Sequence, residues 1–170
     1  MKRILYIPHP KLREKSKEID HIEKKEILLA EEMMEIMENA PGVGLAANQI
    51  GILKKIVTIN LEDKENKKET KYILFNPKII SYSKETVSMD EGCLSIPRQY
   101  AIIERPKEAV IEYINIKKKL IKKRVTGVEA RVLQHEIDHL SGKLFIDYLS
   151  PLKRNIIIKK VKKLIKNGEI

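Results

Sequence analysis

Leu133-Gln134-His135-Glu136-Ile137-Asp138-His139-Leu140 holds the pattern H-E-x-x-H, and its reading decides the fold. Residues four apart on an α-helix lie one turn above each other on the same face. A helix here therefore sets the His135 and His139 rings to hold one metal ion between them. Glu136 stands about 100° round the helix from His135, within reach of the protons of a water on that ion. The chain has 4 histidines among 170 residues. Chance expects on the order of 0.01 copies of the pattern in such a composition, which sets its specificity against the false-positive risk of any short motif.

A catalytic ion of this kind usually takes three ligands from protein and leaves one position for water. The extended pattern H-E-x-x-H-x-x-G-x-x-H would place a histidine at 145, where Phe145 stands instead. Asp147 and Glu169 are the only acids after His139. The remaining soft ligand is Cys93, the single cysteine, in Glu91-Gly92-Cys93-Leu94-Ser95. Taken alone it reads as a small buried hydrophobe. Beside two imidazoles, its thiolate suits zinc or ferrous iron, whereas carboxylate and water sets suit magnesium or calcium. The expectation is a Cys93-His135-His139 site with one open position.

A second segment, Gly42-Val43-Gly44-Leu45-Ala46-Ala47-Asn48-Gln49-Ile50-Gly51, holds three of the chain's seven glycines. Glycine permits positive φ and close backbone approach. No lysine follows in the P-loop position, so peptide docking through the backbone fits better, although a plain helix-to-strand turn explains the segment equally well. Gln49 brings amide donors able to face a developing oxyanion.

The length favours one domain over 1–170, and the composition, 42% hydrophobic and 34% charged, is that of a globular chain. No apolar run reaches the roughly 18 residues of a membrane span, so no membrane partner is expected. One cysteine excludes an internal disulfide and fits the cytoplasm. Net charge is +10, of which residues 151–170, with seven basic side chains and one acid, hold +6. Such a tail reads either as a solvated helix face or as an attractor of nucleic acid or an anionic surface.

The remainder reads as mixed α and β. Pro8 and Pro10 mark an extended arm and a turn. Asp20 and Glu23 suggest a capping box for a helix over 21–39, its methionines packing as core. Short β runs follow at 56–60, 71–75, 78–82, 100–104, 109–116 and 119–125, with hairpin loops at 62–70 and within 115–124. The histidine helix should begin near Thr126 and stop at Gly142, with Val128 and Val132 lining the wall beside the metal as core or substrate pocket. A last helix over 151–167 should dock through Leu152, Ile156, Val161 and Leu164.

Together the segments Gly42–Gln49, Glu91–Ser95 and Gln134–His139 resemble the three motifs of the peptide deformylases, in the family's order. The likeness extends to the Pro8–Arg13 arm, Asn76-Pro77, Arg105-Pro106 and Gly142–Asp147. Departures are small: His9 stands where the family often has an acid, and Tyr100 where some members have arginine. The resemblance implies an α+β fold of antiparallel sheets around a central metal-binding helix, with an N-terminal and a C-terminal helix. It implies one Fe2+ ion, with Zn2+, Ni2+ or Co2+ able to substitute, and formyl removal from formyl-methionyl nascent peptides, releasing formate. Glu136 would shuttle the proton, and Gln49 with the Leu94 backbone N–H would face the oxyanion. Val43, Gly44 and Gly92 would pair with the substrate backbone, with Val128 and Val132 beside its methionine. Glu91 would pair with Arg105 to brace the Cys93 loop, and the basic tail would meet ribosomal RNA. A monomer is expected. The competing readings are a zinc metalloendopeptidase of the HExxH type and a basic RNA-binding protein with a structural metal.

Overall fold

The structure, a computed structural model, describes residues 2–63 and 65–170. In chain order it contains helix α1 (Lys24–Glu38), strands β1 (Gly44–Ala46), β2 (Ile56–Asp63), β3 (Lys68–Tyr82), β4 (Thr86–Cys93), β5 (Ile96–Pro106), β6 (Glu108–Ile114) and β7 (Leu120–Thr126), then helices α2 (Gly127–Leu140) and α3 (Pro151–Lys166). Five strands form one antiparallel sheet in the order β1-β2-β3-β6-β7, and β4 and β5 form a separate hairpin. The α+β architecture is the one expected, with α2 at its centre.

Around Ile56–Ile59 of β2 and Leu74–Phe75 of β3 the sheet is buried on both faces. Val57, Ile59 and Leu74 pack with Ala130, Val132 and Leu133 of α2. Their neighbours Ile56 and Phe75 pack on the opposite side with Met33, Met34 and Met37 of α1. The methionines are core, as expected. A third cluster joins Ile7 and Leu12 of the arm, Ile96 and Ile103 of β5, Phe145, and Ile157 and Val161 of α3.

Several boundaries differ from the sequence reading. Helix α1 begins three residues late because the preceding segment is held extended: Asn76 accepts from the Ile19 N–H at 2.8 Å and donates back to the Ile19 carbonyl at 2.9 Å. The cap moves to Glu23, whose N–H donates to the Glu26 carboxylate at 3.0 Å. The runs 71–75 and 78–82 are one strand, interrupted by a register shift at Asn76, which has φ +49°. Strands continue through much of the expected 62–70 loop, which contains Lys64, outside the described residues. The α3 face is also rotated from expectation. Leu152 is 72% exposed and Ile156 44%, while Ile157 and Val161 are buried. The docked stripe is therefore Arg154, Ile157, Ile158, Val161 and Leu164, the spacing of one helical face.

Two devices seat the helix that carries the histidines. At its end Gly142 has φ +74°, and a Cβ there would lie 2.3 Å from the Arg13 carbonyl oxygen. At its side, buried Arg105 of β5 donates to Glu91 of β4 through Nε at 2.6 Å and Nη2 at 3.0 Å, and through Nη1 to Asp138 of α2 at 2.8 Å. Arg105 thus fastens the β4–β5 hairpin to α2, and the proposed Glu91–Arg105 pair is present. Replacing Arg105 by Ala leaves Glu91 and Asp138 facing one buried cation fewer. Truncating one partner of a buried pair costs about 3–5 kcal/mol, so R105A should lower denaturant stability by that order; a change under about 1 kcal/mol in an unfolding titration would refute the fastening role.

Candidate metal centre and cleft

The three expected ligands converge from two elements. Cys93 ends β4, and His135 and His139 stand one turn apart on α2. Cys93 Sγ lies 3.3 Å from His139 Nε2, which lies 3.2 Å from His135 Nε2. All three donor atoms fall within 4.8 Å of one another, and among the described residues they form the metal-capable group. Bonds of roughly 2.0–2.3 Å to one ion place neighbouring donor atoms close to these separations. The residues present therefore fit a single ion without rearrangement.

The surroundings orient the ligands. His135 Nδ1 lies 2.9 Å from Glu91 Oε1, which fixes the ring and leaves Nε2 for metal. Phe145, at the position of the missing third histidine, stacks against the His135 ring at 6.1 Å between centroids. Asn48 donates to the His139 carbonyl at 2.6 Å, holding the end of α2 against the glycine-rich segment. The N-terminal arm bridges the other two segments: Leu5 N–H donates to the Gln49 carbonyl at 2.7 Å and Ile7 N–H to that of Ser95 at 3.0 Å.

Two glutamates flank His135 in opposite electrostatic settings. Burial alone would raise the Glu91 carboxyl, but hydrogen bonds from His135 and Arg105 overcome it and hold it at about 2. Burial lifts the Glu136 carboxyl to about 7, against the pull of the His135 and Arg105 charges. Glu136 Oε1 sits 4.0 Å from His135 Nε2, and its buried Oε2 has no hydrogen-bond partner. His139 is pushed well below the ordinary imidazole range by burial and then by His135 and Arg105, which favours the neutral, ligating form.

These groups sit at a cleft of about 510 Å³. One wall is Gly42–Gly44, the other Gly92–Leu94 with Pro97, Arg98 and Tyr100, and His135 and Glu136 also line it. Glycine is required on both walls. A Cβ at Gly44 would lie 2.7 Å from Glu136 Oε1, and one at Gly92 would lie 2.6 Å from the Tyr100 ring. Gln49 is buried; its Nε2 donates to Ser95 Oγ at 3.1 Å and lies 3.6 Å from Cys93 Sγ. Leu94 follows the cysteine in the hairpin turn. Val132 is buried against Gly44, while Val128, one turn earlier, is 54% exposed.

Sequence reasoning missed Arg131. It is buried and donates to Glu91 Oε2 at 2.7 Å, to the Ile103 carbonyl at 2.8 Å and to the Val87 carbonyl at 2.6 Å. A signal existed: Arg131 lies four residues before His135, on the same buried helical face, where a cation needs a carboxylate partner. Asn48 offered no comparable signal.

Comparison with known proteins agrees with this geometry. The family described as Polypeptide deformylase matches residues 1–155. The peptide deformylase of Pelagibacter ubique is 46% identical over 169 residues, covering 98% of this chain and 96% of its own. That of Agrobacterium fabrum is 41% identical over 163 residues, covering 96% and 95%. The crystal structure of peptide deformylase from Ehrlichia chaffeensis, 35% identical, superposes with a TM-score of 0.95 over 100% of this chain and 99% of that one. A match running from the N-terminal arm into α3 takes in the cysteine, both histidines and the cleft, and favours neither the endopeptidase nor the RNA-binding reading. By its sequence, its fold and its Cys-His-His centre, the chain belongs to the peptide deformylase family.

Proposed function

We propose that Cys93, His135 and His139 hold one ferrous ion as the resident metal, with zinc, nickel or cobalt able to replace it, and that the enzyme removes the formyl group from the N-terminal formyl-methionine of nascent proteins. The observation that carries this reading is a cysteine sulfur and two imidazoles meeting beside a carboxyl whose Oε2 is unpartnered. The whole of 1–170 acts as one catalytic domain, since α3 shares a core cluster with β5 and Phe145. A monomer is proposed, and the single cysteine fits the cytoplasm.

A divalent ion held there supplies a Lewis acid that brings the pKa of water toward neutrality and polarises the formyl oxygen. Glu136 accepts the attacking water's proton and returns it to the leaving amine, a task suited to a carboxyl near pH 7. The Gln49 amide, beside Cys93 Sγ, and the Leu94 backbone N–H donate to the developing oxyanion. Strand β1 is an edge of its sheet, so Val43 and Gly44 on one wall and Gly92 on the other offer backbone to an extended peptide. The methionine side chain enters beside Val132 and Val128 of α2. The products are formate and a free amino terminus.

Glu136→Gln should keep its metal while formate release falls by about 10²–10⁴-fold, the usual worth of a positioned acid–base group. Anaerobic metal analysis beside a formate assay checks both halves, and near-normal turnover would remove the proton-shuttle role. Cys93→Ala should purify with metal content well below stoichiometric, and an unchanged content would refute the third ligand.

The basic helix α3 is proposed to contact ribosomal RNA through Lys153, Arg154, Lys159, Lys160, Lys162, Lys163 and Lys166, and exposed Lys159, Lys160, Lys163 and Lys166 serve as the four test positions. Deleting α3 would also remove Ile157 and Val161 from the core, so charge reversal is the sharper test. Replacing these four lysines by Glu should abolish ribosome co-sedimentation at low salt while leaving formate release from a short peptide intact. Co-sedimentation that survives the reversal would reject the contact.

A further inference from the structure

Arg98 is the single Lys or Arg among the described residues lining the cleft. Its backbone is unusual. In the β4–β5 hairpin Gly92 pairs with Tyr100, but the next residue, Cys93, pairs with Ile96. Pro97, Arg98 and Gln99 therefore form a bulge with no partner opposite, and Arg98, at its centre, has φ +58°. That conformation favours glycine, and a long side chain held in it is a strained arrangement of the kind that gathers at functional sites. Bulges beside active sites re-aim side chains, and this one carries a guanidinium to the rim.

The guanidinium already holds a carboxylate. Arg98 Nη1 donates to Glu169 Oε2 at 3.0 Å and Nη2 to the Glu169 carbonyl at 3.3 Å. Glu169 follows α3 after Gly168, which turns the chain with φ +66°. Both side chains are half exposed, 59% for Arg98 and 45% for Glu169. An exposed pair of this kind is weak and exchangeable.

The reacting end of a formylated peptide must reach the floor of the cleft beside Glu136, so its following residues run outward along the walls. Arg98 stands on that route. We infer that Arg98 is a specificity-determining residue that receives an acidic side chain in the residues just after the formyl-methionine, and that Glu169 occupies the guanidinium until such a substrate displaces it. This rests on the peptide path of the proposed function.

The test compares kcat/KM for formyl-methionyl tripeptides differing only in Glu, Gln or Lys at the second or third residue, at low and high salt. The wild-type chain should favour Glu over Gln by about two- to fivefold at low salt and lose the preference at high salt, as exposed charge pairs do. Arg98→Gln should abolish the preference, bringing the ratio of kcat/KM for the Glu and Gln peptides to about one. Glu169→Gln should enlarge that ratio by removing the internal competitor, with turnover of the Gln peptide unaffected. Turnover of that neutral peptide reports deformylation itself, so its loss would strike at the catalytic reading rather than at this one. A preference that persists in Arg98→Gln, or is absent from the wild type, overturns the assignment. So does an equal change on all three peptides with a lowered Tm, the signature of a merely structural tie.

Discussion

The buried carboxylate of Glu91 is the constraint on which the centre depends. Its two oxygens meet four donors: two from Arg105, one from Arg131 and one from the His135 ring. A carboxylate has about four acceptor sites, and here each is used. With Asp138 against Arg105, the cluster sets two arginines against two carboxylates. Stripping these groups of water is expensive, and only such complete pairing offsets the cost. The result is positional. Glu91 lies two residues before Cys93, so fixing its carboxylate against α2 fixes where the cysteine sulfur meets the imidazoles.

The same cluster sets the electrostatics. Glu91 and Glu136 both flank His135 and both are buried, yet one carboxyl sits at about 2 and the other at about 7. The difference is one of partners: Glu91 receives hydrogen bonds from the fastening cations, whereas Glu136 faces the cleft with an oxygen unpaired. Two carboxyls pushed apart in this way fit the proposed division of labour, one ionised to orient His135 and the other to exchange a proton. Arg105, which does not line the cleft, acts on both carboxyls.

What the sequence disclosed follows from the range of the interactions involved. H-E-x-x-H is legible because helical geometry converts a spacing of four into a shared face, and Gly142 is legible as a stop because only glycine fits against Arg13. Cys93 is legible by elimination among soft ligands, which pairs it with the two histidines before the family resemblance is considered. Strand β4 was not read, because Thr86, Ser88 and Asp90 face solvent and leave only Val87 and Met89 as apolar signal. The α1 start was misplaced because Asn76, more than fifty residues away, holds the chain before it extended. The α3 face was misjudged because leucines and isoleucines surround the helix. Only the position of the third core cluster decides that Ile157 rather than Ile156 turns inward.

The glycines complete the physical picture. Gly42 would collide with Leu94, Gly44 with Glu136 and Val132, and Gly92 with Tyr100 if each carried a side chain. The cleft is thus narrow where main chain approaches the centre from both sides, with little room there for protein side chains. A substrate held in this way is gripped chiefly through features every peptide shares, its backbone N–H and C=O groups. On the proposed peptide path, discrimination then falls to the ends of the cleft: the floor beside Glu136 of α2, and the rim, where the Pro97–Gln99 bulge and Tyr100 stand. An enzyme that must process many different amino termini gains from this arrangement, because recognition of the shared backbone is kept apart from recognition of what varies.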